Sequence, residues 1–105
     1  MSFPNDADGD ALRRVAERSD MSKPMDIDFA VDVPNQAHAA EMAQLAAQRG
    51  YTTAVERDEA SQRWTCYCTK RMVPTYAGVI AAQKELDELS GPLDGRSDGW
   101  GTLGN

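Results

Sequence analysis

The sequence has 105 residues, 41% of them hydrophobic and 27% charged, which suits one globular domain with a single core and excludes a multidomain enzyme. Seventeen acidic against eleven basic residues give a formal net charge of −6, which disfavours binding to a phosphate backbone and favours a basic partner. Two cysteines are too few for a disulfide framework, and no apolar run approaches the roughly 20 residues that span a bilayer. Because the first residues also lack a signal-peptide pattern, we expect a soluble, cytoplasmic protein.

The first half of the chain predicts a helix, a strand and a second helix. Residues 6–18 form a short helix, in which Asp8 or Asp10 accepts bonds from the free N–H groups at the start. Residues 25–33 alternate strictly between larger apolar side chains and a second set made of three aspartates and Ala30, as in a half-buried strand with an acidic open face. A helix over 35–49 follows, with an Asn at its N-cap and a Gly after its end.

The second half predicts a hairpin, a third helix and a last strand. The hairpin arms are 51–57 and 63–71, the helix begins after a Pro-Thr pair and covers 75–89, and a short strand lies within 94–101. After the first helix the order is βαββαβ, which predicts a ferredoxin-like α+β two-layer sandwich with a four-stranded antiparallel sheet and an extra N-terminal helix. This fold hosts enzymes, RNA binders and regulators alike, so function must be argued from particular residues.

Residues that could bind a metal or act as a nucleophile do not form a complete set. Cys66 and Cys68 share one strand face, but His38, the sole histidine, belongs to another element, so core packing explains the cysteines better than zinc. The acidic segment 6–10 half matches a calcium-binding loop, yet Ala11 stands where that loop needs glycine. Nucleophile motifs and phosphate-binding loops are absent from the sequence. We predict no metal, cofactor or catalytic residue, and hence no enzyme.

The alternating strand is the most informative surface. It places Asp26, Asp28 and Asp32 on the open face of the sheet, and the hairpin adds Tyr67. Solvation keeps such carboxylates ionised and unfit for acid–base chemistry. One aromatic residue against three acids is also the wrong electrostatics for RNA binding on a sheet. The stripe suits a basic protein segment, and it equally suits a polar surface that only contributes solubility.

Two further motifs allow a structural interpretation. Trp100 lies between glycines, where it either closes the edge of the core or serves as a contact residue, since tryptophan is enriched at binding hot spots. The segment MVPT at 72–75 is explained as a strand–helix junction, because Pro74 cannot continue the strand and Thr75 can cap the helix.

Several segments along the chain carry a family resemblance: DGDALRRVA at 8–16, SKP at 22–24, WTCYCTKRMVPT at 64–75 and DGWG at 98–101. They resemble the regulator of ribonuclease E activity B (RraB) family, the bacterial inhibitors of RNase E. The most specific part is TKxMVPT followed by a helix and DGW. The resemblance implies a ferredoxin-like fold with an added N-terminal helix. We treat 1–105 as a single RraB-like domain whose ends, 1–7 and 102–105, are flexible.

The resemblance also implies a non-enzymatic protein that binds RNase E, lowers or remodels its activity and so alters messenger RNA decay. Its target would be the basic C-terminal scaffold of the enzyme, a largely disordered region with arginine-rich stretches that suits an acidic regulator. No residue-level site comes with the family, so face and charge alone predict the protein-binding residues, which are Asp26, Asp28, Asp32 and Tyr67, with Trp100 as an outlier. We expect no direct contact with nucleic acid, a membrane or a small-molecule substrate. The alternatives are a small RNA-binding domain, a general acidic interaction domain and an orphan enzyme.

Overall fold

The computed structural model describes residues 3–105. Within them, three α-helices and four strands follow one another as α1 Ala7–Ala16, β1 Met25–Val33, α2 Gln36–Gln48, β2 Thr52–Arg57, β3 Trp64–Met72, α3 Tyr76–Ser90 and β4 Arg96–Thr102. The strands form one antiparallel sheet in the order β2-β3-β1-β4, so β1 and β3 are central and β2 and β4 are edges. The predicted ferredoxin-like α+β sandwich is confirmed, with α1 preceding the βαββαβ unit.

The alternation of β1 decides which side of the sheet becomes the core. Its apolar positions are all fully buried, namely Met25, Ile27, Phe29, Val31 and Val33. Cys66 and Cys68 of β3 lie opposite two of them and are buried as well, so the thiols are core residues as predicted. Helix α2 packs on β2 and β3, while α3 packs on β1 and β4.

The helices of the βαββαβ unit begin and end where the sequence predicts. The Asn35 side chain accepts the N–H of His38 at 2.9 Å, and the Thr75 hydroxyl accepts the N–H of Gly78 at 3.0 Å. Helix α2 stops before Gly50, whose φ of 91° lies in the left-handed region that glycine adopts most easily. These local signals fix the helix ends independently of the sheet.

The cap of α1 differs from the prediction. Asp6, with an extended φ of −140°, accepts the Gly9 N–H at 2.7 Å, whereas Asp8 and Asp10 lie inside the helix. The expectation that one of those two residues accepts the free N–H groups was wrong, because a cap residue must be extended and they already have helical backbone. Asp6 also accepts a hydrogen bond from the Tyr76 hydroxyl, so one carboxylate caps α1 and joins it to α3.

Helix α1 lies on the helix side of the sheet, beside α3 and the edge strand β4. Leu12 is fully buried in the common core. Asp8 accepts hydrogen bonds from Gln83 Nε2 of α3 at 3.2 Å and from Trp100 Nε1 of β4 at 2.8 Å. Trp100 pairs with Phe29 in the sheet and therefore shares its core-side face. The opposite face of the sheet stays uncovered by α1.

The two ends of the chain were expected to be flexible. At the N-terminal end, residues 1 and 2 of the segment 1–7 lie outside the described residues. At the C-terminal end, the Asn105 amide donates to the carbonyl oxygens of Asp20 at 2.8 Å and Lys23 at 3.3 Å, and its Oδ1 accepts the Asp20 N–H at 2.9 Å. Flexibility of the ends stays a prediction, and motion of 102–105 would have to break these bonds.

The cap of α1 predicts a pH dependence of stability. Hydrogen bonds from the Tyr76 hydroxyl and then from the Gly9 N–H hold the pKa of Asp6 below its ordinary value of 3.8. Such a carboxylate contributes stability above the unfolded-state pKa and loses it as the pH falls through the lower folded-state pKa. Asp6→Asn keeps an oxygen for the cap, so its urea midpoint should fall less than that of the wild type between about pH 5 and about pH 3.

Glu41→Gln is the matched control, since it removes an exposed carboxylate from the middle of α2. Its urea midpoint should follow that of the wild type over the same pH range. Identical slopes for the wild type and Asp6→Asn would contradict a contribution of the Asp6 carboxylate to folding.

Candidate protein-binding face

The open face is the surface of the sheet that points away from the helices. The residues that contribute to it are Asp26, Asp28, Ala30 and Asp32 from β1, Thr52, Ala54 and Glu56 from β2, Thr65, Tyr67, Thr69 and Arg71 from β3, and Arg96, Asp98, Gly99 and Gly101 from β4. The sheet thus brings four of the five predicted contact residues together on one surface. The fifth, Trp100, lies on the other side.

Tyr67 lies near the middle of the open face. Its neighbours on the adjacent strands are Ala54 of β2 and Ala30 of β1. Because both side chains are small, they do not cover the Tyr67 ring, and Tyr67 remains 37% exposed. An exposed aromatic ring between small residues can be contacted by a ligand from above the sheet.

Asp32 is already bound within the protein. Arg63 Nε donates to both of its carboxylate oxygens, at 3.1 and 2.9 Å, and Arg63 Nη2 lies 2.8 Å from Oδ2. The Asp32 side chain is 19% exposed. Hydrogen bonding to Asp32 raises the pKa of the Arg63 guanidinium, so this cation stays charged. Asp32 joins the end of the hairpin to β1 and offers little free charge to a partner.

Asp26 and Asp28 are more accessible. Asp26 lies 3.5 Å from Arg71 Nη1, in a pair whose side chains are 65% and 66% exposed. Such an exposed pair contributes little to folding and opens readily to another cation. The Asp28 carboxylate accepts a hydrogen bond from the Thr69 hydroxyl and forms no ion pair within residues 3–105. Asp28 is therefore the least neutralised of the three predicted aspartates.

Strand β4 adds a carboxylate that sequence reasoning missed. Its register against β1 shifts between Phe29 and Val31, so Asp98 and Gly99 both lie opposite Ala30. Gly99 has a φ of 95°, typical of a β-bulge with a left-handed glycine. The Asp-Gly dipeptide was the available signal, but the bulge depends on how β4 aligns with β1. As a result, exposed Asp98 lies beside the open face.

Trp100 packs on the core side of β4. It is half-buried against the hydrophobic core, and its Nε1–H donates to the Asp8 carboxylate of α1 at 2.8 Å. A buried indole normally needs such a partner for its N–H group. The geometry fits the alternative interpretation of Trp100, in which it closes the edge of the core.

The match of one family model covers almost the whole of this architecture. The model for regulator of ribonuclease activity B (RraB) matches residues 5–102. The chain belongs to the RraB family. The resemblance predicted from the sequence is thereby confirmed, and by family the chain is a regulator of ribonuclease activity. No curated protein and no solved structure matches the chain.

The acidic segment of this RraB domain is used for packing. Asp6 caps α1, Asp8 binds the neighbouring elements and Asp10 pairs with Arg13. Among residues 3–105, no group of three or more His, Cys, Asp or Glu side chains is placed to hold a metal ion. In the same part of the chain, none of the helices has the length and apolar character needed to cross a bilayer.

The two thiols of the RraB core interact with each other. Cys66 Sγ and Cys68 Sγ are 3.8 Å apart and both side chains are fully buried. Hydrogen bonding to Cys66, together with burial, raises the pKa of the Cys68 thiol. A buried thiol with a raised pKa is a poor nucleophile, which agrees with a packing role.

The different environments of the aspartates predict different effects on stability. Asp32→Asn weakens a bidentate, partly buried pair, whereas Asp26→Asn weakens an exposed one. We expect the loss in free energy of unfolding to be about twofold or more larger for Asp32→Asn. Urea denaturation of the two RraB variants measures the difference. Equal losses would contradict the structural role assigned to Asp32.

The hydrogen bond from the Trp100 indole to Asp8 is predicted to stabilise the packing of α1 against β4. Trp100→Phe should lower the free energy of unfolding by about 1–2 kcal/mol, because it removes the bond to Asp8 and some packed surface. A double-mutant cycle with Asp8→Ala isolates the bond, and a coupling energy of about 1 kcal/mol is expected. Strictly additive losses would mean that the bond does not stabilise the RraB domain.

Proposed function

We propose that this protein binds an RNase E-type endoribonuclease and lowers or remodels its activity without catalysis of its own. Family membership gives the class of target, a ribonuclease. The observation that supports a binding surface is the open face, where the carboxylates of Asp28 and Asp98 lie beside the accessible Tyr67 ring and α1 leaves the sheet uncovered. Exposed Asp26 lies further along β1 on the same face. In this proposal the protein acts in the bacterial cytoplasm, where it alters RNA decay.

The partner segment we propose is the basic C-terminal scaffold of the enzyme. A net charge of −6 attracts a basic chain over several ångströms, which raises the association rate and makes it sensitive to salt. Because the Asp26–Arg71 pair is exposed, Asp26 can leave Arg71 and pair with a basic side chain of the partner instead. A disordered segment suits a flat sheet face, because it can adapt to the surface as it binds.

Direct binding of RNA is less well supported by the same surface. RNA-binding sheets of this fold stack bases on several aromatic residues and neutralise phosphates with Lys and Arg. Here Tyr67 is the single aromatic residue of the open face within residues 3–105, and its neighbours include Asp28 and Asp98. These carboxylates would repel a phosphate backbone. Regulation through the ribonuclease protein itself is the better match.

The test compares binding of the purified protein to RNase E from the same organism with binding to a form that lacks the C-terminal scaffold. Binding should need the scaffold and weaken between about 0.05 M and about 0.3 M salt, because exposed charge pairs are screened. Cleavage of a labelled RNA by the full-length enzyme should slow as the regulator is added. Absence of binding to either form would overturn the proposal.

The surface is tested with Asp26→Asn/Asp28→Asn, which leaves the structural pair of Asp32 intact. Affinity for the full-length enzyme should fall about three- to tenfold. Glu41→Gln/Glu88→Gln is the matched control, because it removes the same charge from exposed positions on α2 and α3. Equal affinity losses for the two double variants would assign the effect to net charge and contradict the open face as the contact surface.

A further inference from the structure

The open face contains a trough of about 390 Å³ on its β4 side. The trough exists because the residues along its floor are small. Ala30 of β1 contributes a single methyl group, and Gly99 and Gly101 of β4 contribute no side chain. Tyr67 and the fully exposed Leu103 line it. A side chain that enters from the solvent would meet backbone below and an aromatic ring at one side.

The charge within the trough is negative and not internally compensated. Asp28 and Asp98 both line it, and within residues 3–105 neither carboxylate forms an ion pair. Thr69 donates to Asp28 Oδ1, which leaves Oδ2 without a protein donor in the same residues. Of the nearby cations, Arg71 contacts Asp26 and Arg63 contacts Asp32. Arg96 lies opposite Asp32 in the register and does not line the trough.

The combination of ring and carboxylates suits one kind of side chain. A guanidinium is planar, so it can lie flat on an aromatic ring while its N–H groups donate sideways to carboxylate oxygens. A lysine ammonium is a compact, strongly hydrated point charge that cannot make both contacts in one plane. Tyr67 supplies an exposed ring, and Asp28 and Asp98 supply acceptors.

We infer that this trough binds an arginine side chain of the partner, with its guanidinium against the Tyr67 ring and hydrogen-bonded to Asp28 and Asp98. The inference deepens the proposed function and rests on it for the identity of the partner. It assigns the arginine pocket to the β4 side of the open face. Asp32, in contrast, remains in its internal pair with Arg63.

The test uses two blocked peptides of equal charge, (Arg-Gly)4 and (Lys-Gly)4, titrated into the isotope-labelled full chain and followed by amide chemical shifts. The arginine peptide should bind about five- to tenfold more tightly, because only its side chains can stack and pair together. Its shifts should concentrate at Ala30, Gly99 and Gly101. Equal affinities for the two peptides would overturn the inference, as would shifts confined to the helix side.

Variants separate the ring from the charges. Tyr67→Leu keeps apolar bulk but loses the ring, and should weaken the arginine peptide about three- to fivefold, whereas Tyr67→Phe should bind as the wild type does. Asp28→Asn/Asp98→Asn should abolish the preference for arginine over lysine. Glu41→Gln/Glu88→Gln again controls for net charge and should leave the preference unchanged. Unchanged binding by Tyr67→Leu would contradict stacking on the ring.

The outcomes also separate this inference from the proposed function. If the wild type and Tyr67→Leu bind RNase E equally well, the trough is not the contact site, while the proposed regulator function stands. If the arginine peptide binds selectively at the trough but RNase E does not bind, the arginine site is supported and RNase E is rejected as the partner. Loss of RNase E binding by Tyr67→Leu together with arginine selectivity supports both.

Discussion

The structure depends on the two-residue period of β1, the strand that lies between β3 and β4. Its apolar side forms the centre of the core, and its polar side becomes the middle of the open face. A shift of one residue would bury three aspartates and expose five apolar side chains, so the register is strongly fixed. The same alternation therefore specifies both the packing of the helices and the charge of the candidate binding surface.

Polar contacts then decide which side of the sheet α1 covers. The carboxylates of Asp6 and Asp8 reach Tyr76, Gln83 and Trp100, all on the helix side. Each of these hydrogen bonds involves a charged acceptor, which makes it stronger than a neutral one. By holding α1 against α3 and β4, they leave the open face accessible. The acidic N-terminal segment thus has a structural use, while Asp28 of β1 and Asp98 of β4 supply the negative charge that no ion pair within residues 3–105 neutralises.

Local patterns predicted most of the fold but only part of the site. The alternation over 25–33, the caps at Asn35 and Thr75 and the polar hairpin loop are all encoded within a few residues, so the sequence alone located the strands and helices. The site depends on pairing between distant segments. That Arg63 reaches Asp32, and that Asp98 and Gly99 lie opposite one residue of β1, follows from strand register and a bulge, which no single segment encodes. The position of the α1 cap was missed because three aspartates near one helix start compete for the same role.

The contacts of Asp8 also limit how far this domain can be truncated from its N-terminal end. A fragment that begins at Met25 would retain every strand and both helices of the βαββαβ unit. It would nevertheless lose Leu12 from the core and leave the indole N–H of Trp100 and the amide of Gln83 without their acceptor. We therefore expect a stable fold to need α1 in addition to the βαββαβ unit. The first helix is an integral part of the domain, so shortened versions designed from topology alone would begin too late in the chain.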